Sequence, residues 1–278
     1  MKNIHDQTTK PRVLVTGAGG LVARGIRPQL EDGFKLRLTD LASSIDGSND
    51  FIPADLLDFS QTDSLFDGVD AVIHLAIASC RDFDTSAPPP PDRLTPYHEG
   101  MLDINIKTTA HVFEAARRAG VKKVVFVSSL TVYFGNRFLP RYSESDPVNP
   151  QSLYACTKLF GENLGMVYAR EHDISVICLR IGQPYPSYTP NDAMWRNSKR
   201  TRSTYVSMED IGFAVRQALL APVPFGIYNI VSASDNPRFD ITAAREIGYF
   251  PRAYFSDAGL QFFEDGNVPE FDGVICTQ

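Results

Sequence analysis

The sequence predicts an α/β fold of the doubly wound kind, a mostly parallel sheet with helices on both faces. Three observations carry this. Short apolar runs alternate with helix-period segments from Arg12 to Arg180, with no internal repeat. One run, Ala71-Val72-Ile73-His74-Leu75-Ala76, is apolar but for its histidine, as in a strand covered on both faces. The first run breaks on Gly17-Ala18-Gly19-Gly20 and passes straight into a helical pattern, a turn suited to binding an anion.

In chain order, Arg12 to Thr16 is the first strand and Leu21 to Leu30 the first helix, with Pro28 a point of strain or kinking. The strict G-x-G-x-x-G pattern fails at Val22, but Gly17-x-x-Gly20-x-x-Ala23 keeps a looser form of it. Glycines let the backbone approach a pyrophosphate, and the helix start adds N–H groups and a positive dipole end. Gly17, Gly19, Gly20, Leu21 and Val22 are therefore candidate cofactor contacts. Phe34 to Thr39 is the second strand, ending at Asp40 about twenty residues past the glycines. A carboxylate there accepts both hydroxyls of an adenosine ribose and repels a 2′-phosphate, which favours NAD over NADP. The competing readings are a plain strand-to-helix turn and a turn aspartate. With Asp40 in place the prediction becomes a Rossmann-type doubly wound parallel sheet.

Ile52 to Asp58 reads as a short strand giving way to a polar turn, and His74 as a core histidine rather than a ligand. Ser79 to Pro96, with Pro88-Pro89-Pro90-Pro91, reads as a stiff extended loop placed to cover a site. Asp103 to Ala119 has helical periodicity and stops at Gly120. Val124 to Ser129 is a strand that delivers Ser128 and Ser129 to the carboxyl edge of the sheet. After a turn-rich stretch, Ser152 caps a helix on which Tyr154 and Lys158 lie one turn apart on one face. An ammonium beside a phenol favours the phenolate, so the tyrosine pKa is expected to fall.

Ile174 to Arg180 is the next strand, after which the composition shifts. Residues 183 to 204 hold prolines, tyrosines and the cations Arg196, Lys199, Arg200 and Arg202, which fits either a solvated loop or a substrate loop with a cation for an anionic group. Val206 to Leu220 reads as a helix, Gly226 to Val231 as a strand and Asp240 to Gly248 as a short helix, while the tail from Tyr254 has no assignment. The division that follows is a polar tail over residues 1–10, a dinucleotide-binding domain over 11–182, and a small C-terminal substrate-binding lobe over 183–278 with parts returning to the main sheet.

With 278 residues, a net charge of -6 and no long run of Lys or Arg, the chain is a poor match for nucleic acid. No apolar run has the length of a membrane span, and Met1 to Lys10 lacks the apolar core of a secretion signal, so a cytoplasmic location is expected. Cys80, Cys156, Cys178 and Cys276 are scattered with no ligand spacing, which points to reduced thiols and no metal.

Taken together these motifs resemble the extended short-chain dehydrogenase/reductase superfamily, also called the NAD-dependent epimerase/dehydratase family, over roughly residues 11 to 253. Thr16 to Ala23 resembles its nucleotide loop, Asp40 its ribose-binding acid, and Asp55-Leu56 its adenine edge. His74-Leu75-Ala76 is similar to the strand passing beside the cofactor, and Asn105 stands at the family's helix asparagine, with Lys107-Thr108 where Gly-Thr is common. The resemblance implies a catalytic set of Ser129, Tyr154 and Lys158. Tyr154 would act as base, Lys158 would lower its pKa and bind the nicotinamide ribose, and Ser129 would bond the reacting oxygen.

Within the family, Leu179-Arg180-Ile181-Gly182, Ser232 to Asp240 and Ala244 to Pro251 resemble uronate dehydrogenases. That implies oxidation of a sugar or sugar-acid hydroxyl to an aldonolactone, with substrate contacts at Ser79, Ser129, Leu130, Thr131, Gln183 and either Arg196 or Arg202. Only about a hundred residues follow the sheet, a short lobe for gripping a whole nucleotide-sugar. A nucleotide-sugar epimerase or dehydratase with retained NAD, and a non-catalytic dinucleotide sensor, are the rival readings. Homodimers are common in the family and are the expected assembly.

Overall fold

The computed structural model describes residues 10–41, 50–78, 94–136, 140–186, 202–256 and 259–263. Its elements run β1 (Arg12–Thr16), α1 (Leu21–Leu30), β2 (Lys35–Thr39), α2 (Phe59–Ser64), β3 (Ala71–His74), α3 (Pro96–Gly100), a π-helical turn (Met101–Lys107), α4 (Thr108–Ala119) and β4 (Lys123–Ser129). A 3₁₀ turn (Leu130–Tyr133) leads on to α5 (Leu153–Glu171), β5 (Ser175–Ile181), β6 (Gln183–Tyr185), β7 (Tyr205–Ser207), α6 (Met208–Leu220) and β8 (Phe225–Ile230). β9 (Ala233–Ser234), a second 3₁₀ turn (Ala243–Ile247), β10 (Ala253–Ser256) and β11 (Gly259–Phe262) complete it.

Six strands form one parallel sheet in the order β2-β1-β3-β4-β5-β8. Alternation along the strands sorts the core into two layers. Val13, Val15, Ile73, Val125, Ile177 and Leu179 pack on one face with Ile26 of α1 and Ile211 and Ala214 of α6. Leu14, Val72, Val124, Phe126 and Val176 pack on the other with Val112 and Phe113 of α4 and Leu164 of α5. The sheet is thus doubly wound, as the sequence predicts, and the carboxyl ends of β1 to β5 share one edge.

The differences from the sequence reading have local causes. Ile52 to Asp58 is no strand: only Phe51 bridges Leu38, and Asp58 turns its side chain to the Ser60 and Gln61 amides to cap α2. The helix of Asp103 to Ala119 starts earlier, through the π turn. Tyr205 to Ser207 belongs to β7, and Ser207 caps α6 by accepting from the Asp210 amide. The short helix after Asp240 is a 3₁₀ turn ending at left-handed Gly248, and β10 and β11 occupy the tail that had no assignment. Pro28 is accommodated within α1. The Pro88 to Pro91 loop lies outside the described residues. No described helix is long and apolar enough to cross a membrane.

Two buried polar groups tie the layers together. Asp210 accepts from Ser232 Oγ (2.5 Å), the Arg252 amide (2.7 Å) and the Ala253 amide (3.2 Å), which fastens β10 to α6. Burial pushes its carboxyl up to about 7. His74, 1 % exposed, is a saturated core histidine. Thr109 Oγ1 spends its proton on the Asn105 carbonyl (2.6 Å), so it must accept from His74 Nε2 (3.0 Å). Nδ1 is then the acceptor for Thr16 Oγ1 (2.7 Å), whose oxygen in turn receives the Leu75 and Ala76 amides.

Burial, with the nearby Lys158 charge, holds the imidazole neutral and its pKa down at about 3. The unfolded chain takes up a proton near 6.5 that the folded chain refuses until about 3, so this contribution to stability is lost as pH falls through that window. Urea denaturation at pH 7.5 and 5.5 should show the wild type losing about 1.4 kcal/mol more than His74→Gln. The opposing effect of Asp210 is common to both chains and drops out. Equal losses in the two chains would show that folded His74 does accept the proton.

Candidate active site

A cleft of about 1390 Å³ runs along the carboxyl edge of the sheet. One end is built by the turn between β1 and α1. Gly17 has φ +67°, and a Cβ on it would lie 2.7 Å from the Ala76 amide nitrogen, so the turn presses against the backbone that follows β3. Gly20 is the N-cap of α1, whose first turn holds no acidic side chain. Its leading N–H groups have no intrahelical acceptors and carry the positive end of the helix dipole. Asp40, at the end of β2, accepts from the Gly19 amide through Oδ2 (2.9 Å) and from the Leu41 amide through Oδ1 (2.8 Å). The carboxylate therefore shapes the glycine turn while each oxygen keeps a lone pair for a further donor. Asp55, Leu56, Leu75, Ala76, Leu21 and Val22 line the same end. A glycine cradle, a helix start and an acid one strand away fit the phosphates and ribose of a dinucleotide.

The middle of the cleft belongs to β4 and α5. Ser152 caps α5 through the Ala155 amide (3.2 Å). One turn past Lys158, Gly161 lies against the Phe126 ring, with no room for a Cβ, which brings the helix down onto β4. Lys158, 5 % exposed, donates to the Val127 carbonyl (2.8 Å). Ser129 Oγ accepts from Thr131 Oγ1 (3.0 Å) and the Thr131 amide (3.3 Å). With its lone pairs so engaged, its own proton is left to turn toward the Tyr154 hydroxyl, whose pKa Ser129 lowers.

The electrostatics depart from the sequence expectation. Desolvation pushes Tyr154 up to about 12, only partly opposed by the Ser129 bond and reinforced by Tyr97. Desolvation also brings Lys158 down to about 7, against the pull of Glu162. The lysine is not a fixed positive charge in this environment. Its ammonium lies 5.6 Å from the Tyr154 ring centroid and donates to a backbone carbonyl, and desolvation sets the direction of the phenol's shift, upward where sequence spacing predicts a fall.

Other predicted residues divide. Leu130, Thr131 and Gln183 line the cleft. Asn105 does not: it accepts from the Ala78 amide (2.8 Å) and donates to Thr157 Oγ1 (3.0 Å), whose proton goes to the Tyr154 carbonyl (2.8 Å). It braces the first turn of α5. Arg202 is also absent from the lining; it is buried and its guanidinium lies 3.8 Å from Asp235. Ser79 and Arg196 lie outside the described residues.

Two groups escaped sequence reading. Glu162 and Arg180 form a buried two-pronged pair (2.8 and 2.7 Å), joined by Ser128 Oγ (2.5 Å), beneath Lys158. Glu162 follows Lys158 by four residues, a spacing that signals a shared helix face. Arg238, with Tyr142 and Phe239, also lines the cleft. Arg238 falls in the stretch Ser232 to Asp240, where no single residue stood out.

Residues 13–204 match the family described as NAD dependent epimerase/dehydratase. The chain belongs to that family. Among family members, a uronate dehydrogenase of Pseudomonas syringae pv. tomato is 30% identical over 255 residues, covering 88% of this chain and 83% of that protein. An NAD-dependent glucose-6-phosphate dehydrogenase of Haloferax volcanii is 30% identical over 261 residues, covering 86% and 92%. A uronate dehydrogenase from Agrobacterium tumefaciens, solved as a mutant complexed with NAD, superposes with a TM-score of 0.72 at 26% identity, covering 88% and 86%. The Rossmann-like sheet of this chain is therefore the family's own fold.

Gly17→Ala should fold poorly. It incurs left-handed strain of about 1–3 kcal/mol together with collision against Ala76. Gly120, at φ +73° with nothing within 4 Å of a built Cβ, supplies the control in which only the strain acts. Urea denaturation of the two alanine variants should find Gly17→Ala the less stable, and equal losses would remove the close-approach argument.

Proposed function

We propose that this protein is an NAD-dependent dehydrogenase that oxidises the anomeric hydroxyl of a free sugar acid to an aldonolactone. The observation that carries the reading is the convergence of Ser129, Tyr154 and Lys158 on the same cleft as the glycine turn and Asp40. The uronate dehydrogenases among its relatives support the substrate class. Residues 11–182 then carry the cofactor and the catalytic groups, and residues 183–278 complete the substrate end while returning β8 to the main sheet.

In this reading Gly17, Gly19 and Gly20 and the first turn of α1 hold the pyrophosphate. Asp40 takes the adenosine ribose and Asp55 and Leu56 flank the adenine. Bound NAD supplies the hydride acceptor. Ser129 directs its proton to the reacting oxygen, and Tyr154 removes the proton from the substrate hydroxyl. Lys158 stabilises the resulting phenolate charge from below the ring. Its low pKa changes how that happens. The pair gives up its first proton near 7, and the charged form, ammonium with phenolate, is a tautomer of the neutral pair that holds the same single proton.

Incubation of the purified protein with NAD and a panel of uronic acids and neutral aldoses, followed by NADH absorbance, tests the activity. Turnover with a uronate is expected, reduced 10²- to 10⁴-fold in Tyr154→Phe. No NADH from any member of the panel would sink the proposal. The pH profile tests the proton inventory. Oxidative kcat/KM should rise about tenfold per pH unit below 7 and level off above it, since the tautomer's share then stops changing. A profile still climbing at pH 9 would mean that Lys158 stays charged and the phenol titrates alone.

A further inference from the structure

Resting on the sugar-acid reading above, we propose that Arg238 takes the anionic substituent of the substrate, a carboxylate or a phosphate ester, and so sets the preference for a charged over a neutral sugar.

The argument begins with where Arg238 sits. Its backbone is pinned: the Tyr142 amide donates to the Arg238 carbonyl (2.8 Å), the Asp240 amide donates to the Tyr142 carbonyl (2.6 Å), and Tyr142 bridges Phe239. Its guanidinium stacks over the Tyr142 ring, 5.5 Å from the centroid. That ring packs in turn on Tyr133 (5.6 Å) and Phe239 (5.2 Å). Tyr133 closes the 3₁₀ turn that Ser129 starts, so the aromatic shelf under the arginine is continuous with the turn that carries the catalytic serine. The guanidinium rests against an aromatic shelf, which leaves its N–H edge open to charge-assisted contact with an anion.

Its charge is also available. The acids nearest in sequence are engaged elsewhere, Asp235 with Arg202 (3.8 Å) and Asp240 with Arg141 (3.5 Å). Glu144 accepts from the Asn229 amide (2.6 Å). Among the described residues no carboxylate reaches Arg238. The other cations on the described lining are Arg24, on α1 at the glycine end, and Lys158, committed to Val127. A half-buried cation with aromatic support and no acid beside it leaves a positive potential at the substrate end, which a neutral sugar would not compensate.

Calorimetric titration of the NADH-loaded protein with glucuronate, glucose 6-phosphate and glucose separates the possibilities. The wild type should bind at least one charged sugar more tightly than glucose, and which one it binds identifies the anion. Arg238→Gln should cut the charged-over-glucose affinity ratio at least tenfold, and Arg238→Lys should restore part of it. A wild type that binds glucose as well as the charged sugars overturns the assignment, as does an Arg238→Gln variant that keeps the ratio or weakens all three sugars alike. Turnover is scored separately. If charged sugars bind through Arg238 without yielding NADH from NAD, the dehydrogenase reading fails while the anion site stands.

Discussion

Helix α5 can rest on β4 because Gly161 offers no side chain to the Phe126 ring, and the rest of the site depends on that contact. Bringing the helix so close buries every residue on its inner face, including Lys158 and Glu162. Charges in such a place need partners. Glu162 finds Arg180 and Ser128, and Lys158 finds the Val127 carbonyl. The same burial moves Lys158 toward neutrality and Tyr154 away from ionisation. A one-residue packing decision thus determines the proton chemistry, and the price of proximity is that neither group keeps its solution pKa.

The cofactor end answers to a different constraint, the parallel register of the sheet. β1 pairs with β2 through Thr16 and Thr39 and with β3 through Thr16 and His74, so the three strands end level. Their following residues, Gly17, Asp40 and Leu75, then fall on one edge without any long-range search. The bonds of Thr16 to His74, Leu75 and Ala76 hold that edge in line, with no charge introduced.

Much of this was legible in the sequence, and the reasons differ by residue. The strands read clearly because a sheet covered on both faces needs continuous apolar runs, and Ala71 to His74 supplies one. The placement of Ser129 at a strand end, and of Tyr154 and Lys158 on one face of a helix start, was legible because both positions are marked locally, while their roles rested on the family resemblance. What stayed hidden depends on partners distant in sequence. Arg202 and Arg238 are the same residue type in similar polar surroundings, and only the fold shows one against Asp235 and the other against an aromatic ring in the cleft. The spacing of Tyr154 and Lys158 likewise shows that they share a face, but desolvation, which decides the direction of both shifts, belongs to the assembled core. Ile52 to Asp58 misled for a simpler reason: its apolar start imitates a strand, while Asp58 is committed to capping α2.

The two bonds from Thr131 to Ser129 have a consequence for timing. A serine hydroxyl in water samples three rotor positions and reorients whenever a neighbour changes. Here both acceptor directions are filled, so the proton has one way left to point. The torsional search is completed when the chain folds and is not repeated at each encounter with a ligand. Ser129 therefore stands as a donor whose direction, toward Tyr154, is set before any ligand arrives.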